Sequence, residues 1–497
     1  MLLLGIDVGT SSIKVSVVDS ETQKALISAQ YPETETEIKA LKTGWAEQSP
    51  EMWWDHVQNA ILKANASAMY NPKDIGAIGI AYQMHGLVIV DKEQRVLRDS
   101  IIWCDSRAVE IGNSAFQKIG EQRSLSRLLN SPGNFTASKL AWVKENEPEV
   151  YVQIDKVMLP GDFIAMKLTG DITISASALS EGILWDFQDD AISKDVLECY
   201  GFSSSLFPPV KPVFSEHGYI TSNVAERLSL TPGIPVAYKS GDQPNNALSL
   251  NVLQPGEVAA TAGTSGVIYG ISDQLSYDPE SRVNTFAHVN YAADSKRLGV
   301  LLCINGTGIL NRWVRDNFAA GTGYAQINAL GQEIPLGSAG LRVLPFGNGA
   351  ERMLNNKMVG AHFQNIDFNL HTQAHIFRAV QEGIAFAFRY GLDIMRGNGM
   401  NPSVIRVGKA NLFLSSLFTE AFVNATNIPV EFYDNDGSVG AAIGSGIGVK
   451  VFASESEAFT NNKAFQLIEP TSADLYEPVY HDWKKLLLKQ LDLNNAN

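Results

Sequence analysis

Two short runs of glycine, threonine and serine, Gly9-Thr10-Ser11 and Gly263-Thr264-Ser265, stand between apolar segments of strand length, one near the start of the chain and one just past its middle. Residues 2–8, the turn Gly9-Thr10-Ser11-Ser12 and residues 13–18 read as strand, tight turn, strand. Residues 258–262, Gly263-Thr264-Ser265-Gly266 and residues 267–269 repeat the device, which suggests two related domains. At 497 residues the chain exceeds one ordinary core, so two domains are expected, with a ligand site between them.

Composition narrows the class. Hydrophobic residues are 45% and charged residues 19%, the balance of a soluble globular protein. With 39 Lys and Arg against 53 Asp and Glu, the net charge is −14, which argues against a nucleic-acid partner. Anionic small molecules stay open, because backbone N–H groups and helix N-termini supply local positive potential. Cys104, Cys199 and Cys303 are far apart and make neither a disulfide framework nor a thiolate zinc site, which fits a reducing, cytoplasmic setting. Asp7 interrupts the apolar start too early for a signal peptide, and no stretch reaches membrane-spanning length.

Strand-like and helix-like stretches alternate between and beyond the hairpins, as in α/β architecture. Ser49 caps an expected helix with Pro50 at its first position, continuing through Trp53, Trp54, Val57 and Ile61. Residues 75–81 and 101–103 read as buried strands. Ile376, Val380, Ile384, Phe388, Leu392 and Met395 recur at helical spacing and mark a helix over about 370–397. Residues 474–491 read as a terminal helix that could return to either domain. The boundary falls near residue 246, at Pro244 and a following turn, giving domains 1–246 and 247–497.

Asp7, at a strand end beside a turn of small residues, is a candidate for holding hydrated Mg2+ against a phosphate; the segment alone reads equally as an ordinary hairpin. The second turn has the same chemistry. Other phosphate devices are excluded: Ala410 follows Gly408-Lys409 where a P-loop needs Ser or Thr, and no G-x-G-x-x-G occurs. Asp242 follows a strand and precedes an expected helix, so it is either a helix cap or a carboxylate facing a cleft. Gln83-Met84-His85-Gly86 and Trp103-Cys104-Asp105-Ser106-Arg107 follow strands and offer the apolar face and paired donors and acceptors that a polyhydroxy ligand needs. His371 and His375 lie one helical turn apart, with no third metal ligand evident. The small-residue segment 437–442 begins a helix that either admits a nucleotide or packs tightly on a sheet.

Taken in order, these segments resemble the FGGY family of carbohydrate kinases over nearly the whole chain. The carriers are Gly5-Ile6-Asp7-Val8-Gly9-Thr10-Ser11, Trp45-Ala46-Glu47-Gln48 with Trp53-Trp54, Gln83-Met84-His85-Gly86, Trp103-Cys104-Asp105-Ser106-Arg107, Thr136-Ala137-Ser138-Lys139-Leu140-Ala141-Trp142, Leu159-Pro160-Gly161-Asp162, Gly241-Asp242, Gly263-Thr264-Ser265-Gly266 and the segment 437–442. The resemblance implies an α/β fold of two actin-like, ribonuclease-H-type domains with an interdomain catalytic cleft, the first domain binding sugar and the second ATP. It implies ATP-dependent phosphorylation of a ketose, D-xylulose to D-xylulose 5-phosphate. Asp242 is then the catalytic base, and Asp7 assists the phosphates through Mg2+. Met84, His85, Gly86, Trp103, Asp105 and Arg107 are the sugar contacts. Gly9, Thr10, Ser11, Lys14, Gly263, Thr264, Ser265, Gly408, Lys409 and Asn411 border the nucleotide. A homodimer is expected on the same ground.

Several positions depart from the family pattern. Val407-Gly408-Lys409-Ala410-Asn411 replaces a run of glycines at the adenosine pocket, so that Lys409 either crowds the nucleobase or reaches its ribose or phosphates. Asn134 and Asn365 stand in place of glycines, residues 175–180 lack acidic residues common there, and Gly349-Ala350-Glu351-Arg352 differs from the usual pattern. The rival expectations are a kinase for another ketose or polyol, such as sedoheptulose, and a non-catalytic sugar or nucleotide sensor.

Overall fold

The near-continuous apolar run LLLGIDV forms the strand Leu2–Val8, as a strand buried on both faces requires. It pairs antiparallel with Ile13–Asp19 and parallel with Ile75–Tyr82 in the computed structural model, which describes residues 1–434 and 436–495. The chain divides into two compact units, one of Met1–Leu253, Phe286–Gly299 and Asn435–Lys463, the other of Gln254–Thr285, Val300–Asp434 and Ala464–Asn497.

The first unit is built on a six-stranded sheet in the order Phe214–Tyr219, Pro235–Gly241, Ile75–Tyr82, Leu2–Val8, Ile13–Asp19, Lys24–Tyr31. Its three central strands are parallel neighbours, so Val8, Tyr82 and Gly241 end at the same edge. That edge is where an open α/β sheet presents ligand-binding residues. The helix Gly437–Gly448 lies directly on this sheet. A Cβ on Gly5 would stand 1.8 Å from the Ser438 carbonyl oxygen, and one on Gly79 would stand 1.9 Å from that of Ala441. Of the two readings of this small-residue helix, the geometry displays close packing. On the other face, Ser49 Oγ accepts the Met52 N–H and caps the helix Pro50–Asn65, which buries Trp53, Trp54, Val57 and Ile61.

In the second unit the hairpin recurs. Glu257–Ala262 pairs antiparallel with Gly266–Ser272 and parallel with Val404–Gly408, which pairs parallel with Val430–Tyr433. The long helix spans Gln373–Gly397 and buries its apolar stripe in the unit's main core with Phe377, Ile384 and Phe388. His371 and His375 flank its start: His375 Nδ1 accepts the Thr372 N–H at 3.2 Å, and His371 Nδ1 accepts that of Asp367 at 2.9 Å. The terminal helix Ala473–Asn495 belongs to this unit, where the buried Trp483 donates its indole N–H to Val343 O at 2.7 Å.

Three features differ from the sequence expectation. Pro244 makes no turn; it sits in the first turn of the helix Asp242–Ser249, where a missing N–H costs nothing. The strand expected over 101–103 contracts to Ser100–Ile101, because Trp103 and Cys104 turn outward. The chain also crosses between units several times, first at 253/254 and not at 246, and the helix Gly437–Gly448 joins the first unit because only its small residues fit against Gly5 and Gly79.

Candidate active site

Three parallel strand ends bring the candidate residues of the first unit together. Asp7 lies on Leu2–Val8, directly opposite Lys14 in the hairpin register. Gly9, Thr10 and Ser11 form the turn that follows. Asp242 is the first residue of the helix after Pro235–Gly241, where the positive end of the helix dipole favours a carboxylate. A third carboxylate, Asp436, caps Gly437–Gly448 by accepting the Ser438 N–H at 2.9 Å and also pairs with Lys14. Gly437 admits that helix end to the cluster, since a Cβ there would stand 2.3 Å from Asp7 Oδ2.

Crowding these acids changes their chemistry. Burial, with Asp436 nearby, raises the Asp7 carboxyl to about 6, while Lys14 opposes the shift. Burial, with Asp7 nearby, raises Asp242 to about 7. Asp436 is instead held below its ordinary value, because the Lys14 and Ser438 hydrogen bonds outweigh its burial. Two partly protonated carboxyls at one strand edge fit a site that receives a cation. Among the described residues no cluster of three or more His, Cys, Asp or Glu forms a protein cage. So sparse a set of carboxylates fits a hydrated divalent cation such as Mg2+ better than one held by protein ligands alone.

Met84 and His85 follow the middle strand. The absent side chain of Gly241 makes room for Met84, whose Cγ would stand 2.6 Å from a Cβ there, and this places Met84 against the residue before Asp242. His85 adopts φ +62° and bonds through Nδ1 to the Glu181 backbone oxygen at 2.9 Å. A carbonyl oxygen only accepts, so Nδ1 carries the hydrogen and the neutral ring's acceptor is Nε2. Phe135 and Phe286 flank the ring at 4.7 and 5.5 Å. Lys139 supports the loop from below, donating to the carbonyls of His85 and Ile102 at 2.9 Å each, and burial lowers its pKa to about 7. Gly86 turns tightly against Pro160, whose Cγ would stand 2.7 Å from a Cβ.

The 103–107 segment divides in role. Trp103 is half exposed and donates its indole N–H to Thr10 Oγ at 3.0 Å, which ties this segment to the turn Gly9-Thr10-Ser11. Asp105 and Arg107, expected as direct sugar contacts, are instead buried and committed to one another. Arg107 Nη2 meets Asp105 Oδ2 at 2.6 Å, Nη1 meets Glu47 Oε1 at 2.7 Å, and the guanidinium stacks 3.8 Å over Trp45. Asp105 also accepts the Ala46 N–H at 2.6 Å. Their charges neutralise each other below the surface and fix the loop that carries Trp103. Lys14, expected at the nucleotide, is paired to Asp436.

In the second unit the turn Gly263-Thr264-Ser265 is braced by a residue that sequence reading missed. Thr307, fully buried, donates its hydroxyl to Gly263 O at 2.9 Å, and the Gly308 N–H bonds the same oxygen at 2.8 Å. Thr264 and Ser265 are exposed. Asn411 lies beside Gly263, its Nδ2 3.5 Å from where a Cβ would stand. Gly408 ends the adjacent strand. Lys409 is exposed, with Nζ 5.4 Å from the Phe465 ring. A cavity of about 530 Å3 opens next to this segment, lined by Asn328, Ala329, Gln332, Glu333, Leu414 and Ser416.

Comparison with known proteins sets this geometry in a family. The N-terminal domain model of the FGGY family of carbohydrate kinases matches residues 2–249. The chain belongs to the FGGY family of carbohydrate kinases. Xylulose kinase of Escherichia coli (strain K12) is 28% identical over 459 residues, covering 89% of this chain and 88% of that protein. Xylulose kinase of Bacillus subtilis (strain 168) is 26% identical over 503 residues, covering 99% and 98%. The crystal structure of xylulose kinase from Rhodospirillum rubrum superimposes with a TM-score of 0.90 at 24% identity, covering 100% of each chain. This FGGY kinase therefore has the α/β fold of two actin-like, ribonuclease-H-type domains and phosphorylates carbohydrate.

Sequence reading of this FGGY kinase missed Asp436, Glu181 and Phe286 as well as Thr307. Asp436 carried a signal, an aspartate before a helix of small residues. Glu181 and Phe286 carried none, because they reach His85 only through tertiary folding.

Proposed function

We propose that this FGGY kinase transfers the γ-phosphoryl group of Mg-ATP to a terminal hydroxyl of a small ketose, forming D-xylulose 5-phosphate and ADP from D-xylulose. The observation that carries the reading is the neighbourhood of Asp242: a carboxyl with a pKa near 7, at a strand end and a helix N-terminus, one residue from the glycine against which Met84 packs. A base is most effective when its pKa lies near the working pH.

In this reading Asp242 accepts the proton of the attacking hydroxyl as its oxygen bonds to the γ-phosphorus and the bond to the ADP oxygen breaks. Phosphoryl transfer then depends chiefly on alignment and charge neutralisation. His85 offers Nε2 to a sugar hydroxyl, Met84 gives the carbon skeleton an apolar face, and Gly86 sets the turn. Trp103 covers the open side, and Asp105 and Arg107 act by holding Trp103 in place. Gly9, Thr10 and Ser11 turn backbone donors toward the phosphates. Asp7 would hold Mg2+, which when bound would neutralise phosphate charge, and Lys14 balances the carboxylates. The first unit, which holds Asp7, Met84, His85 and Asp242, is the sugar-binding one and the second the ATP-binding one. There Gly263, Thr264 and Ser265 border phosphates, while Gly408, Lys409 and Asn411 border the nucleoside, with the adjacent cavity for its base. The same reading makes the protein a cytoplasmic homodimer whose partners are small molecules, with neither nucleic acid nor membrane among them.

The test is a panel of ketoses and polyols with coupled detection of ADP. D-xylulose is expected to give the highest kcat/KM. A higher value for sedoheptulose or a polyol would displace the substrate assignment, and binding of sugar and ATP without ADP formation would displace the reaction.

A further inference from the structure

Gln48 belongs to the two-residue strand Glu47–Gln48 and is 1% exposed, and its side-chain amide bridges the turn and the loop that leave two neighbouring strands of the main sheet. Its Nε2 donates to the Thr10 carbonyl at 2.8 Å. Its Oε1 accepts from Gln83 Nε2 at 3.1 Å and from Trp53 Nε1 at 3.0 Å. Gln83 Oε1 in turn accepts the Thr10 hydroxyl at 3.1 Å, so that Thr10, Gln48 and Gln83 close a ring of hydrogen bonds. Gln83 also extends the strand pairing by donating its N–H to Val8 O at 2.9 Å, immediately before Met84 and His85.

The Trp53 indole fixes the direction of every bond in this ring. An indole N–H only donates. Trp53 therefore requires the oxygen end of the Gln48 amide, which turns the nitrogen end to Thr10 O. Gln48 Oε1 also faces Gln83, which must therefore present its nitrogen to Gln48 and its Oε1 to Thr10, so that the Thr10 hydroxyl donates to Gln83 while accepting from Trp103. The Thr10 hydroxyl is thus already engaged. A phosphate oxygen that takes it leaves Gln83 Oε1 without a donor at a buried position, which carries a desolvation cost. A shift of Gln83, the residue from which Met84 and His85 continue, relieves that cost.

We infer that Gln48 is a positioning residue that couples occupancy of the phosphate turn at Thr10 to the placement of the sugar loop at Met84 and His85. This rests on the proposed sugar-kinase reading of the site. Buried polar rings of this kind transmit a change at one member to the others because each member's alternatives are unsatisfied. The coupling is an equilibrium quantity and acts equally in both directions.

The experiment measures, by calorimetry, the Kd of a non-hydrolysable Mg-ATP analogue with and without a saturating acceptor, using whichever sugar the panel returns. In the wild-type protein the acceptor is expected to change nucleotide affinity about fivefold or more, within the usual range of coupled sites. In Gln48→Leu, which keeps the volume and removes the ring, the factor is expected to fall within about twofold of unity, while the Kd of either ligand alone moves less than the factor does. A merely structural role would weaken both ligands and leave their ratio unchanged. Should Gln48→Leu not fold, Thr10→Val cuts the ring at its partly exposed member and is expected to abolish the factor in the same way. A wild-type factor near unity, or an unchanged factor in the variant, overturns the inference. Turnover of a polyol, or of a ketose other than D-xylulose, corrects the substrate and leaves this inference standing.

Discussion

Replacing Asp242 by Asn is expected to move activity and stability in opposite directions. The carboxyl rises from 3.8 to about 7 because folding buries it and sets it near Asp7. The difference is about three units (7 − 3.8 ≈ 3), and at about 1.4 kcal/mol each it bounds the cost of the ionised group in the folded chain at about 4 kcal/mol. Partial exposure lowers the realised cost, so about 2–4 kcal/mol is expected. The sign follows from linkage. A raised folded-state pKa means that the native chain binds the proton more tightly between pH 4 and 7, so stability falls as pH rises through that window. Asn has no such titration. Asp242→Asn should match the wild-type melting temperature near pH 4 and exceed it at pH 8 by roughly 4–16 °C, taking about 2–4 °C per kcal/mol. Its turnover should fall about 10²–10⁴-fold, the usual contribution of a general base. Scanning calorimetry of ligand-free protein across pH, beside coupled ADP release, checks both. A variant less stable than wild type at pH 8, or a gap that does not change with pH, would refute the reasoning.

Three further outcomes follow from the geometry. The wild-type kcat/KM should decline below about pH 7 as Asp242, and then Asp7, takes up a proton, and rate measurements from pH 5 to 9 should show that acid limb. His85→Ala removes an acceptor and a packed ring, and should raise the sugar KM about 5–100-fold while leaving the ATP KM near wild type. Gly5→Ala forces a Cβ to 1.8 Å from the Ser438 carbonyl oxygen; neither backbone can yield, so urea denaturation should show a loss of about 3 kcal/mol or more.

Local patterning made much of this kinase legible. The two hairpins, the strand before Asp242 and the helix Gln373–Gly397 are written in runs and periods of neighbouring residues. What depends on distant contacts was not legible. Glu181 becomes part of the site because the chain folds its carbonyl to within 2.9 Å of His85. Asp105 and Arg107 look like a carbohydrate-binding pair in sequence, and only the cover of Trp45 and the charge of Glu47 reveal them as a buried brace. The return of the helix Gly437–Gly448 to the first unit has a local cause, the glycines at 5 and 79, but its effect appears only when that helix is laid against them.

The central claim is that Asp242 takes the proton of a carbohydrate hydroxyl as phosphorus is transferred to it. Phosphorus NMR of a reaction of D-xylulose with Mg-ATP tests this most directly. The account predicts a phosphomonoester resonance split by two methylene protons, growing in equal amount with ADP and absent from Asp242→Asn at the same protein concentration. Inorganic phosphate as the sole product, or the same ester formed at the same rate by the variant, would contradict it.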